Sequence, residues 1–197
     1  MSKFELMNSL LEKNKGIIIT SDAISAGISK AYFGEFVKKT KLKKMAQGLY
    51  LSEDAWTDGL YLLQARCPQP IFSHETALYL LGLTDREPLQ FTVTAKAGYH
   101  SQSLSKQGVK IYTIKKDLYD LGLSDSTSPA GHELKVYNAE RTICDIIRSR
   151  SNIEFQDMRT ALKAYASSKS KNIPQLMHYA KDFRIENTLR QYLEVLL

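Results

Sequence analysis

The chain has 197 residues and a mass of 22.3 kDa, enough for one ordinary domain or two small ones. Hydrophobic residues make up 43% and charged residues 24%, which excludes wholesale disorder, and ten Gly with five Pro exclude collagen-like and proline-rich repeats. The net charge of +6 is uneven: residues 1–53 hold nine lysines against five acids, and five of those lysines fall within Lys38–Lys44. Such a concentration is either the footprint of a polyanion-binding face or a solvated, lysine-rich loop. Apolar runs such as 16–20 and 61–65 fall far short of the roughly 20 residues of a membrane span. The N-terminal stretch carries Glu5 and Glu12 and has no apolar signal core, and Cys67 and Cys144 cannot build a disulfide scaffold. These features predict a soluble cytoplasmic protein with no membrane association, and with Cys144 as a buried thiol.

Phe4, Met7, Leu10 and Leu11 form one apolar stripe, which predicts a first helix over 2–14. Gly16 ends it, and Ile17–Ile19 reads as a short strand. Thr20 or Ser21 is a fitting N-cap for a short helix through Ala26, closed by Gly27. Ser29 then caps a third helix reaching Thr40. Phe33, Phe36 and Val37 share its inner side, while Ala31, Gly34, Glu35 and Lys38 point the other way, flanked by Lys30 and Lys39. Leu42–Met45 and Leu49–Leu51, joined through Gly48, read as a hairpin. Helix, strand, helix, turn, helix, hairpin is the order of a winged helix-turn-helix. A groove-sized face of small and polar residues followed by a lysine-bearing hairpin suits double-stranded DNA. On that reading Ser29, Lys30, Ala31, Gly34, Glu35 and Lys38 face the major groove. Lys39, Lys41, Lys43, Lys44 and Gln47 contact phosphates or the minor groove. A pure protein-interaction module with solvated lysines is the alternative.

A helix over 55–66, with Trp56, Leu60 and Leu63 inward, serves as the joint, so the domains are expected at 1–53 and 54–197. Ser73 is the expected N-cap of a helix over 73–81, with His74 and Glu75 as first-turn residues. Leu89–Thr94, Val109–Ile114 and Glu133–Tyr137 read as strands, separated in part by a polar, loop-like or briefly helical stretch over 98–108. Asn138 caps a helix over 139–148, on which Arg141 and Asp145 pair at i, i+4. That pair either fixes the helix on the sheet or marks a site. Sheet and helices are expected to about residue 150, and an amphipathic helical tail over 153–197 covers the sheet or joins a partner. The tail's stripes are Phe155, Met158, Leu162 and Tyr165, then Ile173, Leu176, Met177 and Ala180, then Ile185, Leu189, Tyr192, Leu193 and Leu196. The expected fold class is α+β.

The sequence contains no phosphate-binding glycine loop, dinucleotide fingerprint or Gly-x-Ser-x-Gly elbow. His74, His100, His132 and His178 lack metal-ligand spacing, so no catalytic residue, metal or cofactor is expected. One fragment points elsewhere: Glu133-Leu-Lys135 on a strand matches the Glu-x-Lys of Mg²⁺-dependent nucleases, but none of the preceding Asp117, Asp120 and Asp125 stands beside a Pro-Asp strand, and alternation on an exposed strand face explains the triplet equally well.

Several blocks resemble the AbiEi-family antitoxins of type IV toxin–antitoxin systems. They are residues 16–23, 27–33 and 41–51, then Ile71-Phe-Ser-His-Glu-Thr-Ala-Leu-Tyr-Leu-Leu-Gly-Leu-Thr84, then Val136-Tyr-Asn-Ala-Glu-Arg-Thr-Ile-Cys-Asp145. The resemblance implies a bacterial autorepressor, monomeric in solution, that binds inverted repeats in its own promoter, often cooperatively. It also implies a C-terminal domain that counters a nucleotidyltransferase-like toxin without a stable antitoxin–toxin complex.

Overall fold

A computed structural model describes residues 2–100 and 102–196; Met1, Ser101, Leu197 and the side chains of 195 and 196 lie outside that description, and with them Leu196 of the expected tail stripe. Among the described residues eleven α-helices and two sheets make an α+β fold. The chain divides into two compact units, Met1–Pro68 with Ser128–His132, and Gln69–Thr127 with Glu133–Leu197.

The first unit opens with α1 (Lys3–Lys13), started by a capping box in which Ser2 Oγ accepts from the Glu5 amide and Glu5 Oε2 accepts from the Ser2 amide. Gly16 then adopts a left-handed φ of +86°, and a Cβ there would collide with Ser52 and Ala55, so glycine lets the chain cross closely. Strand β1 (Ile17–Ile19) feeds directly into α2 (Thr20–Ser25). The sequence places the cap at Thr20 or Ser21. Instead Thr20 is the first helical residue, because its amide still donates to the Gly48 carbonyl as an extension of the sheet. After a turn through Gly27, Ser29 Oγ caps α3 (Lys30–Lys39) by accepting from the Tyr32 amide. Strands β2 (Lys43–Ala46) and β3 (Leu49–Leu51) follow, and the sheet order β1-β3-β2 leaves β2 on an edge. Met7, Ile18, Ala23, Ile28, Phe33, Phe36 and Leu42 form the core between helices and sheet.

Helix α4 (Gly59–Arg66) begins four residues later than expected. Asp58 caps it, its Oδ1 accepting from the Tyr61 amide, and Ser52–Thr57 lies before that cap. Trp56, expected to be inward on the helix, therefore sits ahead of it and is 86% exposed, while Leu60 and Leu63 are buried as expected.

The second unit is built on a mixed five-stranded sheet, order β6-β5-β4-β8-β7. Its strands are β4 (Ile71–Phe72), β5 (Thr92–Lys96), β6 (Lys110–Ile114), β7 (Leu123–Thr127) and β8 (Glu133–Tyr137). At the centre Phe72 pairs antiparallel with Val93 and parallel with Val136. The expected strand over 89–94 starts instead at Thr92, and Leu89 is 93% exposed just after Pro88, which lacks an amide to donate to a ladder. Helix α5 (His74–Leu80) packs on β5 and β8, and α8 (Ala139–Arg148) packs on α5 and shares a core with Ile71, Ile114 and Tyr137 of the strands, with short α6 (Gln102–Ser105) and α7 (Lys116–Tyr119) at strand connections. Asn138 caps α8 through the Arg141 amide. Ile143, Ile146 and Ile147 of α8 are fully buried, each contributing about 1.5–3 kcal/mol. The tail forms α9 (Phe155–Ser167), α10 (Ile173–Asp182) and α11 (Glu186–Leu196), whose Leu162, Tyr165, Leu176, Leu189 and Leu193, with Phe183 at the end of α10, share one core with α8. Phe155 does not join its expected stripe: as the first residue of α9 it is 66% exposed, and Ile153 is buried just before it. Among the described residues no helix is long and apolar enough to cross a membrane.

Candidate nucleic-acid interface and the buried polar clusters

On α3, Phe33 and Phe36 turn into the core, and this sets what the opposite arc presents. Ser29, Lys30, Ala31, Glu35 and Lys38 are exposed, and Gly34 is half-buried with no heavy atom within 4 Å of where a Cβ would stand. The arc therefore carries no large apolar side chain. The ammonium of Lys39 takes another course and lies 4.8 Å over the Phe4 ring, itself edge-on to Phe36. Lys41 holds a left-handed φ of +53° at the entry to the hairpin and is exposed. Lys43 and Lys44 are exposed on the edge strand, opposite Leu51 and Tyr50, and a register shift at Met45 precedes Ala46. Gln47 is exposed beside Gly48, whose φ of +75° closes the turn. The hairpin thus presents its lysines on a strand with one free edge.

The same unit holds a constellation that sequence spacing does not reveal. His132 Nδ1 lies 2.7 Å from Asp58 Oδ2, Ser128 Oγ donates to the same oxygen, and His132 Nε2 is 3.2 Å from the Asn14 carbonyl. The ring stacks on Tyr61 at 4.3 Å. Asp, His and Ser together suggest a hydrolytic triad, but the geometry is different. A nucleophilic serine must hydrogen-bond to the histidine, whereas this one donates to the carboxylate, and the far ring nitrogen meets a carbonyl. The cluster acts as a clasp that anchors residues 128–132 to the start of α4.

In the second unit, Ser73 is the expected cap of α5, yet its hydroxyl makes no capping bond. It accepts instead from Thr94 Oγ1 at 2.8 Å and lies 3.0 Å from His74 Nδ1. Thr92 Oγ1 in turn donates to the Ser73 carbonyl, and Thr76 Oγ1 accepts from the Thr92 amide. His74 holds φ +49°, its Nε2 3.1 Å from Ser149 Oγ and its ring stacked 3.5 Å from that of Tyr112. Burial, with Arg148, Lys110 and Arg141 nearby, holds this imidazole well below its usual range. A fully buried ring with both nitrogens engaged cannot reach a substrate, so His74 is a structural link between α5, the sheet and the end of α8.

Arg141 and Asp145 pair at 2.9 Å with both side chains completely buried, where i, i+4 spacing alone implies a pair at the surface. Arg141 Nη1 also donates to the Leu118 and Leu121 carbonyls, and its guanidinium stacks on Tyr137 and Phe183. Burial raises the Asp145 carboxyl from its ordinary value, against the pull of Arg141 and Arg148. Cys144 beside it is buried, which pushes its thiol up. The pair locks α8 to the chain around α7.

Glu133 and Lys135 are exposed on β8, with Asp125 opposite Lys135, and Asp117 and Asp120 are on or beside α7. Among the described residues no three His, Cys, Asp or Glu side chains gather as a metal-binding group.

No protein-family model matches the sequence, and no curated protein matches it. The chain is similar to the crystal structure of the RV2827C protein from Mycobacterium tuberculosis, with a TM-score of 0.56 at 15% identity over 89% of this chain and 70% of that one. At that identity the likeness is one of fold.

Proposed function

We propose that the protein is a sequence-specific DNA-binding repressor and an antitoxin of the AbiEi type, whose first unit is a winged helix-turn-helix. The observation that carries the DNA reading is the outer arc of α3, free of bulky side chains and followed by an exposed, lysine-bearing edge hairpin. A helix with small residues outward can approach base edges closely, and cationic tips beside it neutralise phosphates. Lys30 and the backbone at Gly34 read bases; Lys43 and Lys44 set affinity. Inverted repeats in the protein's own promoter are the expected target, occupied by monomers that cooperate through contact or DNA bending. Antagonism of a nucleotidyltransferase-like toxin, without a stable complex, rests on the resemblance of the sequence blocks and is assigned to the second unit.

A mobility-shift titration on the upstream DNA, against scrambled DNA of equal length, tests the repressor half over a series of salt concentrations. Strong preference for the upstream fragment with a steep salt slope is expected. Equal, weak binding to both fragments would remove the repressor function and leave a basic surface. Toxin rescue in a co-expression growth assay, with the second unit mutated, tests the other half.

A further inference from the structure

One apolar side chain of the first unit is out of keeping with its surroundings. Met45 is 38% exposed on the edge strand β2, and Lys41, Lys43 and Lys44 before it and Gln47 after it are exposed as well. Among the described residues it joins neither the apolar cluster that takes Leu42 nor the one that takes Ala46. The cause is local. Lys43 pairs with Leu51 and Lys44 with Tyr50, so regular pairing would set Met45 opposite Leu49. Ala46 stands there instead, and Met45 is the extra residue of a β-bulge. The bulge gives the place opposite the buried Leu49 to a methyl group and leaves a long thioether among cations.

We propose that Met45 is the minor-groove reader of the hairpin, an apolar tip that packs on the groove floor between phosphates held by Lys43 and Lys44 and so selects A·T over G·C base pairs. The inference rests on the DNA reading of this hairpin. An apolar tip flanked by ammonium groups fits a surface with anionic rims and a less polar floor. A minor groove about 6 Å wide between two phosphate rows is such a surface, and it takes single side chains from a strand edge. Methionine is unbranched and bends to follow the floor. There A·T and T·A pairs present only acceptors, whereas G·C adds the N2 amino group of guanine as a donor. A thioether pressed on that amino group accepts at most weakly and shuts out the water that would serve it, so the donor is left unsatisfied. The penalty falls on G·C alone. The lysines meet phosphates whatever the sequence, so discrimination at these base pairs belongs to Met45.

The test uses the full chain and its upstream DNA. Hydroxyl-radical footprinting reports on sugars that line the minor groove and locates the stretch under the hairpin. The parent should protect that stretch. Met45→Ala should leave it open while dimethyl sulfate protection in the neighbouring major groove is kept. Base pairs of the stretch are then set to A·T, to G·C or to inosine·cytosine, which has the major-groove face of G·C but lacks the N2 amino group. The parent should bind the G·C duplex about tenfold more weakly than the other two. Met45→Ala should bind all three alike with the parent's salt slope, since no phosphate contact is lost, and Met45→Leu should keep the parent's preference. The melting temperature of both variants should match the parent, because the side chain is exposed and outside the core. Inosine·cytosine bound as weakly as G·C, an unchanged preference in Met45→Ala, or a fall in stability in place of the lost preference would overturn the proposal while the DNA reading stands. No binding of the parent to upstream DNA would overturn both.

Discussion

The two units place their cationic side chains in opposite ways. The first keeps the lysines of α3 and the hairpin exposed, and its buried cluster of Asp58, Ser128 and His132 holds no lysine or arginine. The second buries an arginine and an aspartate completely and surrounds a neutral histidine with Arg148, Lys110 and Arg141. Charge left in solvent adds little to stability and is free to meet a ligand; charge taken into the core fixes packing and is lost to ligands. Substitutions of the first unit's exposed lysines should therefore alter binding with little effect on folding, and substitutions at the buried clusters of either unit should do the reverse.

The largest effect is expected at Arg141. Arg141→Met leaves the Asp145 carboxylate buried with only Arg148, 3.6 Å away, and strips two donors from the Leu118 and Leu121 carbonyls. Breaking a buried pair in this way costs about 3–5 kcal/mol, read as a fall in the urea midpoint. The double variant Arg141→Met with Asp145→Leu should recover much of that loss. A single-variant loss below about 1 kcal/mol would show that the pair does not lock α8.

Next comes pH. His74 sits well below its ordinary value near 6.5 because burial and neighbouring cations oppose its proton. As pH falls below that value the unfolded chain takes up a proton that the folded one refuses, so folding stability declines, by up to about 1.4 kcal/mol per pH unit. Above that value the group contributes no slope. His74→Gln should flatten the decline between about pH 6.5 and 5 in urea titrations, while losing about 1–3 kcal/mol at neutral pH through a bond to Ser73 or Ser149. An unchanged pH slope in the variant would assign the decline to other groups.

The same contrast explains what the sequence disclosed. The arc of α3 was legible because a helix wheel separates Phe33 and Phe36 from Lys30, Ala31 and Lys38 without reference to anything distant. Helix α8 with its Asn138 cap, and strand β8, were legible for the same reason: cap, periodicity and length all agree locally. The buried clusters were not. His132 meets Asp58 across 74 positions, and Ser73 gives up its capping role because Thr94, 21 residues on, and His74 compete for its hydroxyl. The two-residue strand β4 is too short to show alternation, and it persists because β5 and β8 pair with it on both sides. Trp56 misled for a related reason: an aromatic at helical spacing implies burial, yet the cap at Asp58 starts the helix after it.

For the first unit, Lys43→Ala with Lys44→Ala should weaken binding to every DNA sequence alike. Each phosphate left without its lysine flattens the slope of log K against log salt by about 0.9, so the pair removes about 1–2 in total. Both side chains are exposed, so the melting temperature should stay within the change that about 0.5 kcal/mol produces. Normal operator binding by this variant would refute the wing assignment.

The smallest and most diagnostic change is Gly34→Ala. Gly34 lies inside α3 without a left-handed φ, and a Cβ there has nothing within 4 Å, so the methyl meets no steric objection in the free protein. Alanine lowers the entropy cost of forming the helix, and a gain of about 0.5–1 kcal/mol in urea unfolding is expected. If the backbone at this position comes close to a base edge, the same methyl must intrude on the groove, and operator affinity should fall while stability rises. A core role predicts that the two quantities move together, and a solvated role predicts that only stability moves. Opposite signs from a single methyl group would therefore separate a reading face from an exposed one in a way that removing charges cannot.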